Sequence, residues 1–185
     1  MYSRRNFMLY AAASALLPAS TAHAHERNFK LDPRFEPQEV SFSGHTPGTI
    51  VVDPRNHFLY LQIDAETAQR YGVGVGRAGL AFRGSATIGR KAKWPSWRPT
   101  DNMIRRNPGR YAKYARGVAG GPGNPLGSRA LYLYRDGRDT LYRIHGTTEP
   151  SSIGRSVSNG CIRMINAHVE ELYERVQVGA RVVVI

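Results

Sequence analysis

The chain has 185 residues, with 26 Lys and Arg against 14 Asp and Glu, a formal net charge of +12 and one cysteine. A single cysteine excludes an internal disulfide framework, and a chain of this length can build one domain with a core that needs no such staples. A charge excess of this size attracts polyanions, but the N-terminus described next moves the expected partner from nucleic acid to anionic cell-wall material.

Residues 1–24 have the form of an export signal: a positive start at Arg4 and Arg5, a mildly apolar Ala-rich run from Phe7 to Leu17, and a small-x-small site at Ala22-His23-Ala24. Ser3-Arg4-Arg5-Asn6-Phe7-Met8 matches a twin-arginine signal, the alternative being an ordinary secretory signal that carries two arginines. Ser14 and Pro18 interrupt the run, so no stable membrane span is expected after cleavage, and the mature chain is expected in the periplasm.

Residues 25–46 are polar, contain Pro33 and Pro37 and show little periodicity, which predicts a loosely packed lead-in to a domain over 47–185. Two β-rich runs, 49–53 and 57–63, flank Pro54-Arg55-Asn56 and predict a hairpin. In residues 70–76 apolar residues alternate with glycine, and 86–89 are a further strand candidate.

Residues 90–129 carry both tryptophans, several prolines and glycines, and most of the charge excess: ten basic residues against Asp101 alone. Thr100-Asp101-Asn102 predicts a capped helix through Arg106, stopped by Asn107-Pro108. Gly120-Gly121-Pro122-Gly123-Asn124-Pro125 excludes regular structure there. A loop this long in a compact domain is usually a lid or a binding loop.

Strands resume at 130–134, turn at Asp136-Gly137 and return through 141–144, which places His145 at a strand end. Asn166 is expected to cap a helix whose Val169, Leu172, Tyr173 and Val176 form one apolar face, and 181–185 are a final buried strand. The sum is a mainly β domain, sandwich-like or barrel-like, of seven or eight strands with one clear helix and a long lid loop.

Cys161 sits in Ser158-Asn159-Gly160-Cys161-Ile162-Arg163-Met164. An unpaired cysteine is a small core residue, a crosslinking thiol or a nucleophile. As a nucleophile it needs a base, because the thiolate attacks and a free thiol has a pKa of about 8.5. His145 is the candidate base, and a Ser-rich, Gly-containing loop separates the two. Gly160 leaves room beside the sulfur, and the Gly160 and Cys161 amides are candidate oxyanion donors. Arg163, two residues on, shares a face with Cys161 in an extended segment and suits a carboxylate. With one thiol, no His-x-x-x-His and no carboxylate cluster, no metal site is indicated. Residue types and spacing leave the core reading and the nucleophile reading both open.

Ile144-His145-Gly146-Thr147 followed by Ser158-Asn159-Gly160-Cys161-Ile162-Arg163-Met164 resembles the active-site signature of the L,D-transpeptidase catalytic domain, the YkuD-type family. Gly123-Asn124-Pro125-Leu126-Gly127 through Leu133, the opening Ile50-Val51-Val52-Asp53 and the valine-rich end resemble that family as well. The resemblance implies a β-rich catalytic fold and a cysteine acyl-enzyme with no cofactor and no metal. It implies Cys161 as nucleophile, His145 as proton donor and acceptor, and the Gly146 carbonyl orienting the imidazole. It further implies oxyanion donors at Gly160 and Cys161, and Arg163, Ser158 and Asn159 on the substrate. That substrate would be a peptidoglycan stem peptide containing meso-diaminopimelate. The acceptor would be a diaminopimelate amine, a lysine of an outer-membrane lipoprotein, or water. Many members have histidine where this chain has Asn159, so proton transfer falls on His145 alone. A wall-binding module with a dead site, and a thiol that crosslinks two chains, remain as rival readings.

Overall fold

The computed structural model describes residues 29–185; the export signal expected over 1–24 lies outside them. Eleven strands and three α-helices follow one another in this part of the chain. Among the described residues, no helix is long and apolar enough to cross a membrane.

The predicted hairpin is β2 (Ile50–Asp53) and β3 (Phe58–Gln62), antiparallel with Val51 opposite Tyr60. Its turn is fixed by Asp53, whose Oδ1 accepts the amides of Arg55 and Asn56 at 3.0 and 3.1 Å. Along β3 the pleat sends Leu59 and Leu61 into the core and Phe58 and Tyr60 outward. All three aliphatics of β2 are fully buried, because β2 lies between β3 and the last strand, β11 (Arg181–Val184), which runs parallel to it.

The lead-in is not loose in its second half. Residues Gln38–Ser41 form β1, which pairs antiparallel with β4 (Thr67–Gly72) and edges the sheet. Just before it, Phe35 is buried, its ring 5.6 Å from that of Phe58. One aromatic and four ladder residues anchor the segment, too few to produce a periodic signal.

The strand expected at 86–89 is the middle of β6 (Gly84–Lys93), which pairs with β11 at its start and with β7 (Arg129–Arg135) beyond it. The lid excursion therefore begins only at residue 94. Lys91 points from β6 to the end of the C-terminal helix, α3 (Asn166–Arg175). There its ammonium donates to the carbonyls of Tyr173 and Val176 at 2.5 and 2.6 Å, a cation closing a helix C-terminus. Part of the basic stretch is thus structural.

Strand β7 turns through Asp136 and Gly137, both at positive φ as a two-residue hairpin turn requires, into β8 (Arg138–His145). The register shifts here: Tyr134 faces Asp139 but Tyr132 faces Arg143, so Thr140, Leu141 and Tyr142 stand opposite Leu133 alone. Leu141 takes φ +64° within this bulge. On the far side of β8 lies β10 (Ile162–Arg163), parallel to it. The nine-stranded sheet has the order β1-β4-β3-β2-β11-β6-β7-β8-β10. A separate parallel pair joins β5 (Val75–Gly76) to β9 (Ser156–Ser158).

One core collects side chains from both halves of this sheet and from α3, among them Leu59, Ile88, Leu131, Ile144, Met164, Val169 and Leu172. The lid carries α1 (Asp101–Arg106), capped by the Thr100 hydroxyl as expected. Asn107 does not end the helical stretch. Its Oδ1 accepts the Arg110 amide and starts α2 (Pro108–Tyr111), a proline at a first helical position being no obstacle. Helix α3 departs from expectation at its cap: Ile165 holds that position without a side-chain bond, and Asn166 is the first helical residue.

Candidate active site

The parallel pairing of β10 with β8 assembles the site. It sets Arg163 beside His145 and Ile162 beside Ile144, and the Met164 amide donates to the His145 carbonyl at 2.8 Å. Cys161 immediately precedes β10, so the sheet register brings together two residues far apart in the sequence. From the other side, Arg163 exchanges two backbone bonds with Gly74, at 2.7 and 2.9 Å.

His145 is buried. Its Nδ1–H donates to the Gly146 carbonyl at 2.5 Å, which fixes the tautomer and leaves the lone pair on Nε2. Burial lowers the imidazole pKa to about 4; the charges of Arg163 and Arg143 act in the same direction, against the carbonyls of Gly146 and Leu126. The Gly146 segment is itself held from α3. Asn166 Oδ1 accepts the amides of Thr147 and Ser128 at 3.1 and 3.3 Å. This is the use the fold makes of the side chain expected to cap the helix.

Cys161 is half-buried, with its thiol 3.9 Å from the Leu141 carbonyl exposed by the β8 bulge. Burial pushes the thiol pKa up, opposed by the Arg143 amide and by the guanidinium charges of Arg143 and Arg163. Neutral thiol and neutral imidazole therefore share one cavity of about 690 Å³, walled on the far side by Trp97, Met103 and Tyr111 of the lid.

Gly160 has φ +125°, and a Cβ there would meet the Leu80 carbonyl at 2.5 Å and the Tyr142 ring. Gly76 explains part of the alternating glycines: its missing Cβ lets the Gly160 backbone pass, while Val73 and Val75 enter the core.

Within the motif, the Ser158 hydroxyl is bonded to both Gly160 and Cys161. The Gly160 amide is bonded to the Ser158 hydroxyl at 3.1 Å, and that hydroxyl donates to the Cys161 carbonyl at 2.6 Å. The Ser158 hydroxyl thus clamps the turn while the residue still lines the cavity, and the Gly160 amide is already bonded to that hydroxyl. The Cys161 amide makes no hydrogen bond among the described residues. Asn159 donates from Nδ2 to the Tyr111 hydroxyl at 2.7 Å and accepts from Arg77 at 3.1 Å, tying the lid to the motif. Arg163 reaches the cavity, where its guanidinium is bonded to Glu149 at 2.6 Å.

Sequence reasoning missed Glu149, Tyr111 and Arg143. Arg143 is held by both carboxylate oxygens of Asp139 at 2.7 and 2.9 Å and lies over the Tyr132 ring. No spacing rule reaches across the bulge or the lid; the one available signal was the i, i+4 placement of Asp139 and Arg143, and a bulged strand hides it.

The family model of the YkuD type, described as the L,D-transpeptidase catalytic domain, matches residues 47–184. The Escherichia coli protein named Probable L,D-transpeptidase ErfK/SrfK is 36% identical over 140 residues, which is 75% of this chain and 44% of that protein. A Bacillus subtilis protein, YqjB, also named as an L,D-transpeptidase, is 33% identical over 73% of this chain and 69% of its own length. The chain thus spans less than half of the first of these relatives. A Brucella melitensis crystal structure described as a probable carnitine operon oxidoreductase is 55% identical, with a TM-score of 0.58 over 84% of this chain and 96% of that one. L,D-transpeptidase 3 from Mycobacterium tuberculosis shares the fold, with a TM-score of 0.55 at 18% identity over 74% of this chain and 60% of that one. With its matched residues holding the whole assembled site, the chain belongs to the L,D-transpeptidase catalytic domain family.

Proposed function

We propose that this protein is an exported cysteine acyltransferase acting on peptidoglycan stem peptides. One observation carries the reading: Cys161, immediately before β10, and His145, at the end of the neighbouring β8, line one cavity, with the imidazole locked through Nδ1 so that Nε2 is the basic atom. The Cys161 sulfur attacks the carbonyl that joins the third stem residue, a diaminopimelate, to D-alanine. His145 Nε2 takes the thiol proton and returns it to the departing D-alanine amine. The Cys161 amide faces the oxyanion. An incoming amine then breaks the thioester, giving up a proton to His145 as the thiol is restored. A diaminopimelate amine yields a 3→3 crosslink, and a lysine amine attaches a protein to the wall.

Both partners begin neutral, so the thiolate arises with the attack and not before it. The cavity's cations, with Glu149 as its one acid, suit a carboxylate-bearing substrate. The residues matching a twin-arginine signal fit delivery to the periplasm.

The test is incubation of the purified mature chain with disaccharide tetrapeptide, followed by mass spectrometry. Dimers with loss of D-alanine support transfer to an amine. Tripeptide alone makes water the acceptor. No D-alanine release, or release that persists in Cys161→Ala, overturns the reading.

A further inference from the structure

The carboxylate of Glu149 lies between two guanidiniums. One oxygen is 2.6 Å from Arg163 on β10, and the other is 3.7 Å from Arg110 on lid helix α2. The two sides of the ion pair are unequally fixed. The Arg163 side chain is 16% exposed and its backbone is bonded on both sides, whereas the Glu149 side chain is 53% exposed. The Glu149 backbone is fastened: its amide donates to the Thr147 hydroxyl at 2.9 Å and its carbonyl accepts from Ser152. Only side-chain rotation is needed to move its carboxylate out.

Among the other cations on the cavity wall, Arg106 and Lys113 form no ion pair within the described residues, and two more are already neutralised. Arg98 is paired with Asp101 at 2.9 Å and Arg143 with Asp139 at 2.7 Å, neither of those acids lining the cavity. Glu149 is the one acid on that wall, and it sits on the arginine beside the nucleophile. A largely buried guanidinium left bare is costly, so a resident carboxylate keeps it oriented. A half-exposed carboxylate is held weakly enough to exchange.

We propose that Arg163 and Arg110 form a two-armed site for the side-chain carboxylate of the donor's third residue, and that Glu149 is its occupant until substrate displaces it. The proposal deepens the transpeptidase reading and rests on it. Arg110, on the lid, and Glu149 are thereby specificity-determining residues, since they set how strongly a carboxylate is preferred over its amide.

The test compares two donor tetrapeptides, one with the free diaminopimelate carboxylate and one amidated at that position, in wild type, Glu149→Gln and Arg110→Met. Removing the competitor should lower the ratio of the free donor's KM to the amidated donor's KM by about 5-fold, the scale of one half-exposed ion pair. Arg110→Met should raise the same ratio by a similar factor. A ratio unmoved, or moved the other way, in Glu149→Gln overturns the proposal and makes Glu149 a fixed structural partner of Arg163. Failure of the wild type to turn over either donor sinks the transpeptidase reading and this proposal with it, an outcome distinct from an unmoved ratio.

Discussion

The side-chain oxygen of Asn166 accepts the amide of Thr147 at 3.1 Å, so the first residue of α3 fastens the segment that carries the imidazole's orienting carbonyl. The same oxygen takes the Ser128 amide at 3.3 Å, and both Thr147 and Ser128 are buried. Asn166→Leu leaves two buried amides without an acceptor, which costs roughly 2–4 kcal/mol. Urea unfolding should show that loss, and D-alanine release should fall in kcat more than KM changes. Asn166→Asp keeps an acceptor and should recover most of both. Equal loss in the two variants would show that Asn166 acts otherwise than through this oxygen.

The buried imidazole makes stability depend on pH. His145 is held down at about 4 in the folded chain, while an unfolded histidine titrates near its ordinary ~6.5. Between those values the unfolded chain binds more protons, so stability rises with pH. The contribution is complete above pH 6.5 or so and is lost as the pH falls towards 4, a change of roughly 3 kcal/mol. Urea midpoints of wild type and His145→Gln should therefore converge as the pH is lowered from 7 to 4. Parallel pH profiles would contradict it.

The thiol should behave as a neutral group at rest. Burial raises the Cys161 pKa, so alkylation by iodoacetamide at pH 7 should be slower than for an unhindered thiol and still climbing beyond pH 9. A rate that levels off below pH 7 would reveal a preformed thiolate–imidazolium pair and remove the reading in which attack and deprotonation coincide. The same experiment separates an active nucleophile from the rival wall-binding module when the carboxyl donor is present, because only acylation protects the sulfur.

What was legible in the sequence follows from the reach of each physical signal. The β2–β3 and β7–β8 hairpins announce themselves through alternation and turn chemistry within a dozen residues. The apolar face of α3 does so through Val169, Leu172 and Val176. That Cys161 and His145 would come together in one cavity was suggested by motifs that are each contiguous. The anchoring of β1 was not, since Phe35 finds its partners across the sheet. Neither was the fate of Ser158, whose hydroxyl is consumed by its own turn, nor that of Asn166, whose partners lie 19 and 38 residues away. Side-chain hydrogen bonds to backbone carry no periodicity, so what they hold in place cannot be read from spacing.

Gly160 should tolerate no side chain. At φ +125° alanine is strained, and its Cβ would press on the Leu80 carbonyl and the Tyr142 ring, of which the carbonyl belongs to backbone that cannot turn aside. Gly160→Ala is expected to cost roughly 2–5 kcal/mol and to displace the thiol beside it. Gly179→Ala is the control, because it has φ +94° with open space around it and isolates the backbone term. Thermal melts of the pair, with alkylation rates of Cys161, should show the larger loss at 160 alone.

The lid is tied to the motif by one hydrogen bond that a single atom removes. Asn159 Nδ2 donates to the Tyr111 hydroxyl at 2.7 Å, and Tyr111 packs edge-on against Trp97 with ring centroids 6.4 Å apart. Tyr111→Phe keeps the ring and deletes the acceptor, a loss of about 1 kcal/mol. Because that energy belongs to the closed lid and not to the sheet core, its first effect should be a larger share of open lid. Unfolding by urea should change little, while Trp97 emission, read in a Trp94→Phe background, should shift to the red as the indole meets water. The donor KM should rise several-fold, with acylation of a pre-saturated enzyme less affected. With Tyr111 intact, Asn159→His should keep the bond only if its ring reaches the same hydroxyl, and emission that turns red in that variant would show that the asparagine is matched to this lid.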